Sequence, residues 1–256
     1  MATSKYFTVT VKPTIAASIQ HTGAFGGSDL LFDWTAFEIP KGSAKLVNVT
    51  TLVRPKGDAG PTANDNNFGL VFSSTNTVSL GDSHATVTNR PSNDFLGQVY
   101  IHASSHTPST FNSTAVGTGG FNGDKEVSAS PLVLTPNVDV LSTTTPGYDT
   151  IYIAGYTGDT NTDFSSIVRL NDASGNMDVS VAGTTIATDG SSMDIREHFM
   201  AGDVLHAHDD AVIGTVASVT DATDLELTAN FTAGALADDD FVYNIHPIRI
   251  ILQFER

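Results

Sequence analysis

The residues with reactive potential are few and gather in two short stretches. His206-Ala207-His208-Asp209-Asp210 puts two imidazoles at i and i+2, which on a strand share one face, with carboxylates beside them. A metal could be held by such a pair only with further protein ligands, and no third is identifiable by spacing. Asp159-Thr160-Asn161-Thr162-Asp163 has the 1-3-5 oxygen spacing of a calcium loop. Phe164, however, stands where the sharp turn needs Gly, and Leu170 takes the twelfth position, where a carboxylate belongs. Asp238-Asp239-Asp240 is a like-charge run with the composition of a solvated loop. Ser, His and Asp are plentiful, yet no G-x-S-x-G elbow and no Gly-rich phosphate loop occurs. Zero cysteines remove thiol nucleophiles, Cys-based zinc sites and disulfides. No catalytic residue, metal ligand or cofactor site is assigned, and the chain is expected not to be an enzyme.

What must position these residues is a set of short strands. Thr, Ser, Gly, Asn and Asp are abundant while Lys, Glu and Leu are scarce, the balance of strands joined by turns. An all-β fold is expected, and 256 residues with 40% hydrophobic content suffice for one large core or two smaller ones. The most strictly patterned stretch is Phe199–Thr228, which reads as a meander of strands over Asp203–Ala207, Ala211–Val219 and Leu225–Leu227. Such short strands and connections suit a small barrel. Further strands are expected over Tyr6–Val11, Leu30–Ile39, Lys45–Arg54, Phe68–Phe72, Asp94–His102, Leu132–Leu134, Val138–Leu141, Tyr148–Tyr156 and Ser165–Leu170. Ala103–Ser130, which contains GTGGFNGDKE, carries no pattern and reads as a long loop that is functional or ordered by a partner.

The closing run Pro247–Phe254, PIRIILQF, is too apolar for a small polar module and matches the strands of the first half. The chain is therefore expected to return. Residues 1–172, completed by 246–256, would form a jelly-roll-like antiparallel sandwich, and 173–245 an inserted small β-barrel whose ends lie together. The alternative is two sequential domains, with Pro247–Phe254 on the edge of the second. Charge follows the same division. Residues 173–245 carry 13 Asp and Glu and one base, Arg196, whereas the rest has 15 acids and 11 bases within a net charge of −16. A surface so acidic lacks the Lys and Arg that phosphate neutralisation requires, so no nucleic-acid partner is expected. No apolar run approaches the roughly 20 residues that cross a bilayer. The opening MATSKYFTVTV lacks the charged-then-apolar order of a secretion signal, so synthesis in the cytoplasm is expected and the Asn-x-Thr sequences at Asn48, Asn112 and Asn230 read as chance matches.

The segment GDVLHAHDDAVIGTVASVTDATDLELT, with the opening KYFTVTVKPTIAASIQHTGAF and the closing FVYNIHPIRIILQFE, resembles virion structural proteins of tailed bacteriophages, particularly marine cyanobacterial phages. Its GD…IGTV.SV…LEL pattern is similar to small β-barrel modules of such proteins. The resemblance is strong at the two ends of the chain and weak across Ala103–Ser130, and it carries no site residues. It implies a capsid decoration or cement protein on the outer surface of the phage head, made in the host cytoplasm. The implied partners are the major capsid protein and other copies of the chain, with a trimer the expected homo-oligomer. A jelly-roll carbohydrate- or receptor-binding domain of a tail or fibre is the alternative, with Trp34, Tyr148 and Tyr156 as a stacking platform. Attachment without disulfides or metal would rest on buried apolar area and main-chain pairing. Met1–Val11, of high β-propensity, is expected to add a strand to a neighbouring subunit.

Overall fold

The computed structural model describes residues 5–56, 62–88, 93–106, 115–121 (backbone), 132–137, 145–165, 168–170, 182–188, 194–233, 236 and 240–256. The first half supplies β1 (Tyr6–Val11), β2 (Leu30–Pro40), β3 (Ala44–Val53), β4 (Phe68–Ser73), β5 (Phe95–Ile101), β6 (Ala115–Phe121), β7 (Leu132–Leu134) and β8 (Tyr148–Thr157). The second supplies β9 (Val168–Arg169), β10 (Thr185–Ala187), β11 (Val204–Ala207), β12 (Val212–Val219), β13 (Asp224–Leu227) and β14 (Phe241–Asn244), followed by β15 (Ile248–Glu255). One short helix, α1 (Ala17–His21), links β1 to β2.

The strand partners follow a nested order. β4 pairs with β5, β3 with β6, β2 with β8 and β1 with β15, each pair enclosing the one before it in sequence. Every one of these pairings is antiparallel. Two four-stranded layers result, β1-β15-β3-β6 and β5-β4-β8-β2, joined where β5 meets β6. This is a jelly roll, one long antiparallel ribbon rolled so that its ends lie beside each other. β7 pairs with Ala44–Leu46 while β6 pairs with Thr50–Val53, so the two cover successive halves of β3.

The alternation in β15 shows why the roll closes. Ile248, Ile250, Leu252 and Phe254 are buried, whereas Arg249, Ile251, Gln253 and Glu255 face away, the period of two expected of a strand with one dry face. Phe254 stacks on Phe7 of β1 at 5.0 Å and lies 6.4 Å from Phe37 of β2, which in turn meets Phe72 of β4 edge-on at 6.3 Å. These rings span the space between the layers, so the interior is filled by side chains. At Gly155 of β8 a Cβ would lie 2.3 Å from the Phe32 ring, and only glycine admits that ring.

β9 to β14 form a second sheet in the connection between β8 and β15, in the order β10-β13-β12-β11-β14-β9. A bridge between Leu170 and Thr188, directly after β9 and β10, brings the ends of that order together and curls it into a small barrel. Its core is Ile186, Leu205, Val216, Leu225, Val242 and their neighbours. The β11–β12 hairpin turns at Asp210, which sits at φ 70°, a left-handed conformation that Asp tolerates better than most residues.

Two expectations need correction. Ser165–Leu170 does not close the jelly roll, because β9 pairs with β14 and belongs to the barrel. Ala103–Ser130 is not one structureless loop. It contains the 3-10 turn Ala103–Ser105 and β6, whose Gly-rich sequence carries no period but which is held from both sides by β3 and β5. Within the stretch Met1–Val11, Tyr6–Val11 pairs along its whole length with β15 of its own chain and is the end strand of its sheet, while residues 1–4 lie outside the described residues. Val138–Leu141 lies outside the described residues. The division into two sheets is also not a division into two cores, since one continuous cluster of buried apolar side chains runs from Phe37 and Phe72 through Phe25 and Phe164 to Leu205 and Val242.

The two faces of β15 predict opposite outcomes for the same chemical change. Ile250→Asp places an unpaired carboxylate between the layers and should cost several kcal/mol, on the order of 3 or more, whereas Ile251→Asp on the outer face should cost under about 1 kcal/mol. Denaturant unfolding of the two variants checks this, and equal losses would place the core elsewhere.

Candidate functional site

The most elaborate side-chain constellation lies where the barrel meets the end of β3. β3 leaves the sheet at Arg54, whose backbone N–H donates to the Pro247 carbonyl just ahead of β15 (2.9 Å). The Arg54 guanidinium then crosses into the barrel, donating to the Glu197 carbonyl (3.2 Å) and to Oδ2 of Asp203 (3.2 Å). The same Asp203 oxygen accepts from Asn244 Nδ2 at 2.6 Å and from the Met200 N–H at 3.0 Å. Asn244 also donates to the His198 carbonyl, and its own carbonyl accepts from the buried Gln20, which reaches Ile15 as well. Residues far apart in sequence thus share one dry polar network, in which each partner satisfies another that would otherwise be costly to bury.

Burial pushes the Arg54 guanidinium down to about 10, against the pull of Asp203, and it remains a cation at neutral pH. His198 lies beneath the network, 1% exposed, with neither ring nitrogen meeting a partner among the described residues. Burial, and then the charge of Arg54, lower its pKa to about 3, so it is neutral under physiological conditions.

An open cleft borders this joint, lined by Leu52, Arg54, Arg196, Phe199, Met200 and Arg249 among others. Three arginines in a chain with 12 Lys and Arg suggest an anion site, but the charges nearby cancel. Arg54 is paired with Asp203 and Arg196 with Asp194, and Glu197 lines the same wall. Among the described residues, Arg249 reaches the Met200 sulfur, at 3.1 Å, and no carboxylate. The arrangement locks two bodies together; it does not concentrate positive charge.

The residues singled out by sequence have structural duties here. His206 is 9% exposed and bonds the Asp210 carbonyl through Nδ1, while His208 lies on the turn with its ring 5.1 Å from that of His21. β11 ends at Ala207, so His208 is exposed on the turn while His206 is buried in the strand, and the two do not share the face that a continued strand would have given them. Asp209 accepts from the Ala211 N–H, and the Asp210 carboxylate accepts from both the N–H and the hydroxyl of Ser18, fastening the barrel hairpin to the start of α1. In the calcium-like stretch, Asp159 accepts from the Asn67 N–H and Asp163 from the Ser165 N–H, with Asn64 tied to the Asp163 backbone in both directions. Among the described residues no group of three or more His, Asp or Glu is placed to hold a metal ion. Asp238 and Asp239 lie outside the described residues.

The proposed stacking platform is not one surface. Tyr148 pairs opposite Pro40 and Tyr156 opposite Leu30, at the two ends of β8, about 26 Å apart at roughly 3.3 Å per residue. Tyr156 is nearly buried, and Trp34 donates its indole N–H to the Val78 carbonyl under the loop that also brings Leu80 onto the sheet.

A surface does stand out by charge. The outer face of β1, β15 and β3 carries Thr8, Thr10, Gln253, Ile251, Asn48 and Thr50 side by side in register. Residues 5–12, 44–54 and 248–256 together contain six Lys and Arg and a single acid, Glu255. That acid is already bound by Lys5 at 2.6 Å and by Lys45 at 3.1 Å. Neither the joint nor this face was visible in sequence, because both are assembled from segments about 150 to 250 residues apart.

Two outcomes follow for the joint. Arg54→Met should cost about 3–5 kcal/mol by leaving the Asp203 carboxylate buried without its cation, whereas Arg249→Met, on the same cleft but outside any ion pair among the described residues, should cost under about 1 kcal/mol in denaturant unfolding. For His198, the unfolded chain takes up a proton below about pH 6.5 that the folded chain refuses until about pH 3. Stability should therefore fall as pH falls through that window, and His198→Leu should show a smaller loss of melting temperature between about pH 7 and about pH 5 than the parent does. No known family model matches this chain and no curated protein is found similar to it, so the joint and the charged face are interpreted from their own geometry.

Proposed function

We propose that this chain is a non-enzymatic structural protein of a tailed-phage particle, a decoration protein that binds the outside of the head and stabilises it. The observation that carries this reading is the division of charge on a solid jelly roll. One sheet face is basic, while the barrel in the β8–β15 connection belongs to a stretch with 13 acids and one base. A subunit with a docking side and a strongly solvated side suits the surface of a particle, where exposed acid keeps a crowded shell soluble. The aromatic rings packed between the layers also leave function to the outer surfaces, and jelly rolls serve widely in viral shells. The resemblance of the opening, the closing strand and the Gly202–Thr228 segment to virion proteins points the same way. A sugar-binding role draws no support from Trp34, Tyr148 and Tyr156, which do not converge.

The test is addition of the purified chain to phage heads assembled without it. Saturable binding to the outer surface, seen by co-sedimentation and electron microscopy, with a higher temperature of head opening, is the expected result. Binding to tails alone, or capture on a glycan array without head binding, would replace this reading with the receptor-binding one.

A further inference from the structure

We infer that the outer face of β1, β15 and β3 is the seat for the acidic barrel of a second copy of this chain. The inference rests on the charge division used above but concerns the contact between copies and not the contact with the head. The three strands and their flanks have five more positive than negative charges in a protein of net charge −16, and residues 173–245 have twelve more negative than positive. The molecule thus carries both halves of a complementary pair.

The same pairing already operates within the chain. Arg54, at the end of β3, reaches into the barrel and binds Asp203. Further along the same face, Lys5 and Lys45 converge on the one carboxylate within reach, and Arg249 has none among the described residues. Between these cations lie Thr8, Thr10, Asn48, Thr50 and Gln253, short polar side chains that cost little entropy to immobilise and can bond a facing strand or loop. On the barrel, Asp209 and Val212 are exposed, Val212 at 67%, and Glu226 is half-exposed on β13. An exposed apolar residue close to acids matches a surface that offers Ile251 between cations.

Because the face and the barrel are different patches, two copies close as a twofold dimer when both reciprocal contacts form together, and otherwise the contact is heterologous and forms a ring if the rotation closes. Salt dependence follows from the two ranges of the forces. At about 0.1 M salt the Debye length is about 10 Å, so repulsion between whole acidic bodies is screened while contacting pairs are not. At about 1 M it is about 3 Å and the contacts weaken too.

Sedimentation velocity of the full chain, supported by melting curves that confirm folding, tests the inference. At about 0.1 M salt the parent should sediment at a multiple of 26.9 kDa and should fall to the single-chain mass at about 1 M. Lys45→Glu with Arg249→Glu, and separately Asp209→Lys with Glu226→Lys, should each weaken self-association by about tenfold or more, and an equal mixture of the two should restore it. A parent that is a single chain at about 0.1 M, variants that associate like the parent, or a mixture that stays dissociated would each overturn the inference. Head binding separates the two readings. If a monomeric parent binds heads and the Lys45→Glu, Arg249→Glu variant does not, the face serves the capsid and this inference fails while the proposed function stands. A ring that ignores heads leaves the inference intact and removes the function.

Discussion

The fold depends on where β15 must go. It is an interior strand of its layer, hydrogen-bonded to β1 on one side and to β3 on the other, yet it is made last. The jelly roll therefore cannot close until the chain has travelled through the entire barrel and come back. Such a return costs little in loop entropy only if the barrel folds as a unit whose ends are near each other, since closure entropy grows slowly with length while a misdirected exit loses the whole strand. The geometry meets that condition locally. Arg54 fixes Pro247 through its backbone and Asp203 through its guanidinium, so the end of β3, the barrel and the start of β15 are held at one point.

A joint of buried charge is an unusual way to hold two bodies, because an apolar contact of the same size is often as stable. What the polar network adds is direction. Asp203 takes three donors from three separate segments, and the full set is satisfied in one relative placement of jelly roll and barrel. Rotation of the barrel would strand a guanidinium and a carboxylate away from water. The neutral His198 beneath the network, without a hydrogen-bond partner among the described residues, fits a region packed to a shape at the expense of polar satisfaction.

Much of the fold was legible because it is written in period two. Tyr6–Val11 and Leu132–Leu134 match their strands residue for residue, and the meander near 203–228 differs by one residue at a few ends. The inserted barrel was readable from a shift in charge and from a closing strand too apolar for its surroundings. β6 and β10 were not readable. One is rich in Gly and the other is three residues long, and each is a strand because its neighbours present an unpaired edge. The histidine pair was misleading for the complementary reason. The i, i+2 spacing implies one face only within a strand, and β11 ends at Ala207, which leaves His208 on the turn. The Arg54 network left no local signal at all, since no partner lies near another in sequence.

The charge pattern ties these features together. Placing the acids on an excursion from the roll keeps like charges away from the layer that must pair β1, β15 and β3, where Glu255 is held by two lysines. Had the same acids been spread over that layer, cross-strand repulsion would oppose the pairing that closes the fold. Segregation removes that conflict inside the chain, and it leaves a basic sheet face and an acidic excursion on one molecule. The architecture that lets a strongly acidic chain close its own sheet is thus also the one that sorts its charge into two separate patches.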